Sequence, residues 1–437
     1  MPAAPQPDGS LHGFRRGANA ATYHESRCAV SETVEFGGWP RPPRWVWILA
    51  GVAAVAVLAG VVVARHGPHH AASSSPPATS PVHGPHIAAA GSAARWPSVE
   101  GACRVPVYLP RIHLARNHVP VHVAVLVGGT ALREVTPGGA LSRPLPGLPG
   151  QGRVVTKLVS GPGADYAFVD PQCSGYLWVY RIVAGAAHRL GTAAFDLLGG
   201  PHHAWAVTYP RRTLLTPLNG GRTVTLKAGT DPVADTAAGL VVDYHPRTGG
   251  PGALELVDPT TGALVRRLAR GSPLGAAAGV VLVSLPDCGA SPANRMCTLE
   301  SIGLTTGQPT ATFKLPGGRV PVSDAVFSPS GTLAAFQLAR AGQDPGFTAG
   351  SPSPPADVAV LHLDTGKVDM VPGLELPPGT GAGLAFDATG YWLLATVSEG
   401  DHGELLAWRQ GMPGPALVTS LPGPLMAAPP LLVAPSS

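Results

Sequence analysis

Histidines are the side chains in this sequence that are best suited to metal binding or proton transfer at neutral pH. His113, His118 and His122 fall within ten residues, and His202 and His203 are adjacent. Successive residues of a β-strand point to opposite faces, so the adjacent pair cannot chelate one ion from a regular strand. A proline interrupts the first group. We therefore interpret both groups as surface histidines and predict no metal site.

Sequence motifs of the common enzyme classes are absent. There is no G-x-S-x-G elbow, no H-E-x-x-H, no Walker loop and no G-x-G-x-x-G between a strand and a helix. No spacing of paired carboxylates stands out, and residues such as Asp258, Asp364 and Asp387 lie at turns, where their side chains cap local backbone. We predict no catalytic residue and no cofactor, although a site built from separate loops would leave no motif.

Composition limits the elements that could position these side chains. Only 13% of the 437 residues are charged, against about 25% in ordinary soluble domains. The chain carries 56 Gly and 49 Pro, which are costly inside helices and argue against an all-α protein. The net charge is +4, and the arginines form no basic stripe. We therefore expect no nucleic-acid partner.

Residues 45–64 form an apolar stretch without a charged residue. About 20 residues in a helix cross the hydrocarbon core of a bilayer and pair all their backbone groups internally. Trp45 and Trp47 stand at one end of the stretch, where indole rings favour the membrane interface. A cleaved signal peptide is the alternative, but its apolar region is usually about 7–15 residues long. The sequence predicts a transmembrane helix over residues 45–65.

The flanking charges predict the orientation of this helix. Arg41 and Arg44 precede it, whereas Arg65 is the one cation that follows closely. Positive flanks remain in the cytoplasm. We therefore predict a single-pass protein of the cell membrane, with residues 1–44 as a mostly disordered cytoplasmic tail and the C-terminal part outside the cell.

The outer part of the chain divides by composition. Residues 66–95 are rich in Pro, Ser, Ala and His, which is typical of a semi-extended linker. From residue 96 onward, short β-like runs alternate with Gly, Pro, Asp and Asn, a pattern of all-β sandwiches, barrels or propellers. We predict one β domain over residues 96–425 and a short C-terminal tail over residues 426–437.

Four of the five cysteines lie in the predicted outer part, where disulfides can form. Four cysteines allow three pairings. Cys288 and Cys297 flank a single loop, so we expect them to pair with each other, which leaves Cys103 with Cys173. A zinc site is the alternative, but the sequence has neither C-x-x-C spacing nor a histidine pair near these cysteines.

Turn glycines recur at a spacing that indicates a repeated unit. Gly262, Gly307, Gly366 and Gly411 lie 45, 59 and 45 residues apart. The longest interval contains a Pro/Gly/Ser-rich insertion at residues 343–355, without which it returns to near 45. Blades of β-propellers have four strands and about 40–50 residues. The spacing therefore favours a propeller.

Two phrases carry a resemblance to a known family. Residues 324–336 read DAVFSPSGTLAAF, and a similar phrase follows around Gly390. They resemble the FSPDG-x-x-LA phrase of WD-repeat and TolB-like β-propellers, and the D-x-x-T-G turn at residues 258–262 resembles the turn between the two outer strands of their blades. The Trp-Asp dipeptide and the Gly-His pair of WD repeats are absent. The resemblance implies blade turns at Gly262, Gly307, Gly331, Gly366 and Gly390.

These landmarks divide the domain into about seven blades, near residues 104–149, 150–195, 196–229, 230–270, 271–318, 319–375 and 376–424. Six or eight blades remain possible, because the third unit is short and the first is poorly marked. The strand directly after Cys103 is expected to close the ring by joining the last blade, as is common in such propellers.

We expect the protein to act as a non-catalytic binding or scaffold module at the cell envelope, with a protein, a peptide or a glycan as its partner. An envelope hydrolase or lyase with its site at the propeller channel is one alternative. A sensor that signals to the short cytoplasmic tail is another. A cluster of acids or histidines at the channel mouth would favour the enzyme.

Overall fold

The computed structural model describes the chain from residue 110 onward, with internal gaps. The predicted transmembrane helix at 45–65, the cytoplasmic tail, the linker and both Cys103 and Cys173 lie outside the described residues. Within the described part, no helix has the length and apolar character needed to cross a membrane. The described ranges are 110–115, 119–121, 124–148, 153–171, 177–209, 212–246, 252–277, 279–286, 288, 297–340, 355–377, 380–399, 402–422 and 430–433.

The described residues form 29 strands in seven antiparallel sheets, which we call blades 1 to 7 in chain order. Blade 2 contains β4–β7, blade 3 contains β8–β11 and blade 4 contains β12–β15. The first fifteen strands are β1 (Arg111–Ile112), β2 (Val125–Val127), β3 (Arg133–Val135), β4 (Arg153–Gly161), β5 (Ala164–Pro171), β6 (Leu177–Val183), β7 (Ala186–Ala194), β8 (Asp196–Leu198), β9 (Trp205–Thr208), β10 (Leu214–Pro217), β11 (Val224–Thr225), β12 (Thr230–Thr236), β13 (Gly239–Tyr244), β14 (Ala253–Val257) and β15 (Leu264–Ala269).

Blade 5 contains β16–β19 and blade 7 contains β25–β28. In blade 6 two short strands, β20 and β21, both pair with β22, and β1 is added beside the outer strand β24. A short 3₁₀ helix at Pro316–Gly318 leads into β20. The remaining strands are β16 (Ser272–Ala277), β17 (Val280–Ser284), β18 (Thr298–Gly303), β19 (Pro309–Lys314), β20 (Arg319–Pro321), β21 (Val326–Phe327), β22 (Leu333–Arg340), β23 (Ala356–His362), β24 (Val368–Leu376), β25 (Gly383–Phe386), β26 (Leu393–Glu399), β27 (His402–Trp408), β28 (Ala416–Pro422) and β29 (Leu431–Val433).

The C-terminal strand closes the ring. β29 pairs with β2 in antiparallel register, with Val125 opposite Val433 and Val127 opposite Leu431, so it becomes the innermost strand of blade 1. The strand expected directly after Cys103 lies outside the described residues. The first described strand, β1, pairs with the outer strand of blade 6. Residues 431–433 therefore belong to the propeller, and the domain extends beyond residue 425, where the sequence analysis ended it.

Innermost strands of successive blades contact one another around the whole circle. The contacts run from β29 to β4, β8, β12, β16, β21, β25 and back to β29. The fold is therefore a closed seven-bladed β-propeller around a central channel, as the sequence predicted, and the open choice between six, seven and eight blades is decided by the seven sheets.

The core consists of seven apolar clusters, one between each pair of neighbouring blades. Side chains alternate between the two faces of a strand. On β22, Phe336 therefore packs toward blade 5 while Ala335 packs toward blade 7. On β13, Leu240 and Val242 face blade 3 and Val241 faces blade 5. Because both faces are buried, these strands read as continuous apolar runs.

One disulfide fastens the loop between β17 and β18. The sulfur atoms of Cys288 and Cys297 are bonded, across a separation of nine residues, and both side chains are buried in the cluster between blades 5 and 6. This is the predicted pair. The disulfide cross-links the two ends of the loop beside that core.

The predicted blade turns occupy two kinds of position. Three connect the third and fourth strands of a blade, and two connect the innermost strand to the second. All five glycines have φ between 69° and 72°, in the left-handed region that side chains with a Cβ rarely adopt. They are Gly262, Gly307 and Gly366 in the first group, and Gly331 and Gly390 in the second.

Replacing Phe336 by alanine tests whether inter-blade packing stabilises the ring. Phe336 is fully buried between blades 5 and 6, so Phe336→Ala should lower the free energy of unfolding by about 3–5 kcal/mol. The control is Val265→Ala, at a side chain that is 56% exposed on β15, with an expected change within about 0.5 kcal/mol. Chemical denaturation of the full chain measures both, and equal effects would contradict the packing scheme.

Candidate functional site

Charged side chains from three blades meet in the channel. Lys157 lies on β4 of blade 2 and Asp196 at the start of β8 of blade 3, and the Lys157 Nζ atom is 2.8 Å from Asp196 Oδ1. The same carboxylate oxygen accepts a hydrogen bond of 2.7 Å from the backbone N–H of Leu197. The ion pair joins the innermost strands of two neighbouring blades.

Asp324 faces this ion pair from the other side of the channel. It lies between β20 and β21 of blade 6, and the residue is exposed to solvent although protein surrounds it. Desolvation raises the pKa of its carboxyl, while the charge of Lys157 lowers that pKa and the charge of Asp196 raises it. These influences require Asp324 to lie near both residues. One lysine therefore stands among carboxylates from blades 3 and 6.

A second acidic group lies on blade 4. Asp231 on β12 and Asp243 on β13 are directly opposite in the antiparallel register, which places their side chains on one face. Burial raises the pKa of both carboxyls, and the nearby His245 lowers both. His245 Nε2 lies 3.0 Å from Asp243 Oδ2. Asp243 is only 5% exposed, and its other oxygen has no hydrogen-bond partner among the described residues.

Tyr209 connects the two acidic groups. It follows β9, and its exposed ring lies 6.3 Å from the ring of Phe195, measured between centroids. Burial of the hydroxyl raises the pKa of the phenol, and the charges of Asp231 and Asp196 raise it further. The hydroxyl therefore stays protonated at any physiological pH. We call the seven residues the channel cluster: Lys157, Asp196, Tyr209, Asp231, Asp243, His245 and Asp324.

The channel cluster is negatively charged when its carboxylates are ionised. It holds four carboxylates, one lysine and one histidine. A cleft lined mainly by charges of one sign focuses such a field and attracts ligands of the opposite sign. Among the described residues no group of three or more His, Cys, Asp or Glu side chains could hold a metal ion. The arrangement can bind a cation or a hydrogen-bond donor, and it can exchange protons.

The histidines chosen from the sequence have structural roles where they are described. His202 Nδ1 lies 2.8 Å from Asp235 Oδ1, and the same carboxylate accepts hydrogen bonds from the indole N–H of Trp205 and the backbone N–H of His203. This buried carboxylate ties blade 3 to blade 4. The backbone N–H of His113 bonds Gly373, and His118 and His122 lie outside the described residues.

Comparison with known proteins supports the architecture alone. No protein-family model matches the sequence, and no curated protein sequence matches it. Three solved structures with similar folds are hydrazine synthase of Kuenenia stuttgartiensis, TolB of Acinetobacter baumannii and Hsv2 of Kluyvelomyces marxianus. The chain is a seven-bladed β-propeller, and TolB-like propellers are among the proteins that share its fold.

The identities in these comparisons are 13%, 12% and 11%, and the TM-scores are 0.41, 0.40 and 0.35, in the same order. The matches cover 62%, 72% and 58% of this propeller chain, and 88%, 67% and 72% of the other chains. The seven sheets of the chain show its fold, and the subfamily is unidentified.

The sequence analysis missed the channel cluster, and few signals could have revealed it. Its members are scattered over blades 2, 3, 4 and 6 at no regular spacing. Asp324 is the first residue of the repeated phrase in blade 6, so the sequence indicates a structural role in the blade repeat for it and no role in a site. Asp231 and Asp243 are opposite each other only because of the β12–β13 register.

The pH dependence of stability should report the position of Asp324. Because its pKa is raised in the folded protein, the native state holds this proton at a higher pH than the unfolded chain. Stability therefore falls as pH rises from the ordinary value of 3.8 through the folded pKa. Asp324→Asn removes this loss and should raise Tm at pH 7. Its advantage should shrink toward pH 4.

The control for this measurement is Asp364→Asn, which removes the same charge at an exposed turn of blade 6. Its Tm should follow that of the parent protein at both pH values. A Tm of the Asp324→Asn variant below that of the parent at pH 7 would show that the carboxylate stabilises the fold and would refute its placement in a desolvated channel.

Proposed function

We propose that this propeller is a membrane-anchored, non-catalytic binding module outside the cell, and that its channel holds a cationic group of a peptide or protein partner. The excess of carboxylates over cations in the channel cluster carries the proposal. Blades 3, 4 and 6 supply the carboxylates, whereas the cationic side chains of the cluster are Lys157 and His245. An ammonium or guanidinium group complements this field.

Two aromatic rings near Asp196 offer further complementarity to a cation. The rings of Phe195 and Tyr209 are both partly exposed beside Asp196. Aromatic faces attract cations with about 0.5–1 kcal/mol at exposed sites. A lysine or arginine side chain that enters beside these rings would lie close to Asp196 and Asp324. Its charge would then be neutralised while its aliphatic part covers apolar surface.

Membrane anchoring is the part of the proposal that rests on the sequence. The apolar stretch at residues 45–64, its two tryptophans and the arginines before it support a single span with the N-terminus in the cytoplasm. The linker at residues 66–95 would hold the propeller away from the bilayer. This arrangement makes the channel available to partners at the cell envelope.

A hydrolase is the second candidate, and one observation favours it. Asp231 and Asp243 are neighbouring carboxyls whose pKa values are both raised by burial. A protonated carboxyl beside an ionised one is the arrangement used in general acid–base catalysis. Against this candidate, Asp243 is almost completely buried and bonds to His245, so substrate has little access to it. Binding therefore remains the better-supported function.

Titration with charged peptides tests the channel. The full chain is titrated with tetra-arginine peptide and, separately, with tetra-glutamate, by calorimetry at low salt. The cationic peptide should bind and the anionic one should not, and added salt should weaken the binding. Asp324→Asn should weaken it about tenfold, which corresponds to about 1.4 kcal/mol. Asp364→Asn, the exposed control, should leave it unchanged.

Equal affinity of the Asp324→Asn variant and the parent protein would exclude the channel as the cation site. Release of a product from a peptide or glycan, lost in Asp231→Asn and retained in Asp364→Asn, would replace the binding function by the hydrolase.

Protease protection in intact cells tests the anchor. With a tag on each terminus, added protease should remove the C-terminal tag and leave the N-terminal tag, because the helix separates the compartments. The full chain should remain in carbonate-washed membranes. A variant without residues 45–65 should be absent from them. Digestion of both tags, or release of the full chain by carbonate, would contradict the proposed topology.

A further inference from the structure

Blade 7 carries an open hollow that is separate from the channel cluster. It has a volume of about 410 Å³ and is lined by Thr389, Tyr391, Trp392 and Arg409. The first three residues belong to the turn between β25 and β26, and Arg409 directly follows β27. No residue of the channel cluster contributes to its lining.

A buried carboxylate holds the turn of this hollow in shape. Asp387 is 1% exposed, and its Oδ1 accepts hydrogen bonds of 3.0 Å from the backbone N–H groups of Tyr391 and Trp392. The hydroxyl of Thr389 also bonds this carboxylate, at 2.8 and 2.9 Å. The left-handed backbone at Gly390 completes the turn. The aromatic side chains are therefore presented by backbone that is already ordered.

The two aromatic rings form adjoining walls of the hollow. Their centroids are 6.2 Å apart and their planes meet at 89°. Trp392 packs against the core between blades 7 and 1, which fixes its position. Tyr391 is 61% exposed, the largest exposed fraction among the large apolar and aromatic side chains described. Exposed aromatic area of this kind is enriched at sites of recognition.

Arg409 supplies a positive charge that no carboxylate among the described residues neutralises. Its guanidinium carbon lies 5.3 Å from the Tyr391 centroid and 5.1 Å from the Trp392 centroid. Its Nη1 donates a hydrogen bond of 3.3 Å to the Tyr391 hydroxyl. Among the described residues, no Asp or Glu lies within ion-pair distance of it. A guanidinium held over aromatic faces keeps edge N–H groups for an oxyanion.

We propose that this hollow on blade 7 binds a carboxylate-bearing saccharide, with Arg409 on the carboxylate and the rings of Tyr391 and Trp392 against the sugar. The planar fork of arginine matches a carboxylate with two parallel hydrogen bonds. The negative face of an aromatic ring attracts the C–H groups that cover one side of a pyranose. The volume lies within the range of small-molecule sites, about 300–1,000 Å³.

The lining favours this ligand over two others. A phosphate dianion calls for several cationic donors, whereas the hollow offers one guanidinium. An acidic peptide would also pair with Arg409. Extended peptides, however, gain their affinity from a sheet edge or a long groove. The hollow is lined by only four residues, which is too short a surface for such a peptide. A single acidic sugar unit uses the charge and both rings at once.

Saturation-transfer NMR on the full chain tests the site, with a glucuronic-acid-containing tetrasaccharide as the probe and a neutral glucose tetrasaccharide as its match. The acidic probe should receive saturation, mostly at its ring protons, and the neutral one should receive little. Arg409→Gln and Tyr391→Ala should each weaken binding of the acidic probe about tenfold or more. Arg409→Lys should recover part of it, because the charge remains without the planar fork.

Two further variants keep the result interpretable. Tyr391→Phe retains the ring and should bind within a fewfold of the parent, which separates loss of the aromatic wall from loss of the turn. Arg222→Gln removes an exposed arginine of blade 3 and should have no effect. The proposal is overturned if the acidic and neutral probes bind equally, if Arg409→Gln binds like the parent, or if an acidic peptide binds there and the saccharide does not.

Discussion

The closed ring of inter-blade contacts is the constraint on which the rest of the structure depends. Each blade is a thin sheet that cannot bury its two apolar faces alone, and each face packs against a neighbour. Closure of the ring requires an innermost strand in blade 1, and β29 supplies this strand by pairing with β2. Without that strand, the contact surface between blades 7 and 1 would lose Leu431 from its cluster.

The ring also creates the electrostatics of the channel. Innermost strands from all blades converge on one axis, so charged residues far apart in the chain become neighbours. Asp324 from blade 6 responds to Lys157 and Asp196 from blades 2 and 3 for this reason. Lys157 and Asp196 keep about a third of their side-chain surface exposed, so solvent screens part of this interaction. Desolvation by the surrounding protein raises the pKa of the Asp231, Asp243 and Asp324 carboxyls.

The two proposed sites use opposite charge on the same scaffold. The channel concentrates carboxylates and suits a cationic partner, whereas the blade 7 hollow presents Arg409 beside two rings and suits a carboxylated sugar. Both depend on elements that are positioned by blade packing: the innermost strands in one case, and the turn ordered by Asp387 in the other. Under the two proposals, the propeller contacts two ligands of different chemistry independently.

The sequence by itself determined the fold class, the repeated blade and the turn positions, because these depend on local signals. Short apolar runs and their turn residues are recognised within one blade, and the 45-residue glycine spacing and the paired phrases around Gly331 and Gly390 are recognised by comparing successive stretches of the chain. The Cys288–Cys297 bond was equally local. Only the tertiary structure decided the blade count, the closing strand and both sites. The residues around Leu431–Val433 carry no sequence signal that identifies β2 as the strand they pair with. The channel cluster forms only where separate blades meet, and proximity across the ring leaves no pattern along the chain.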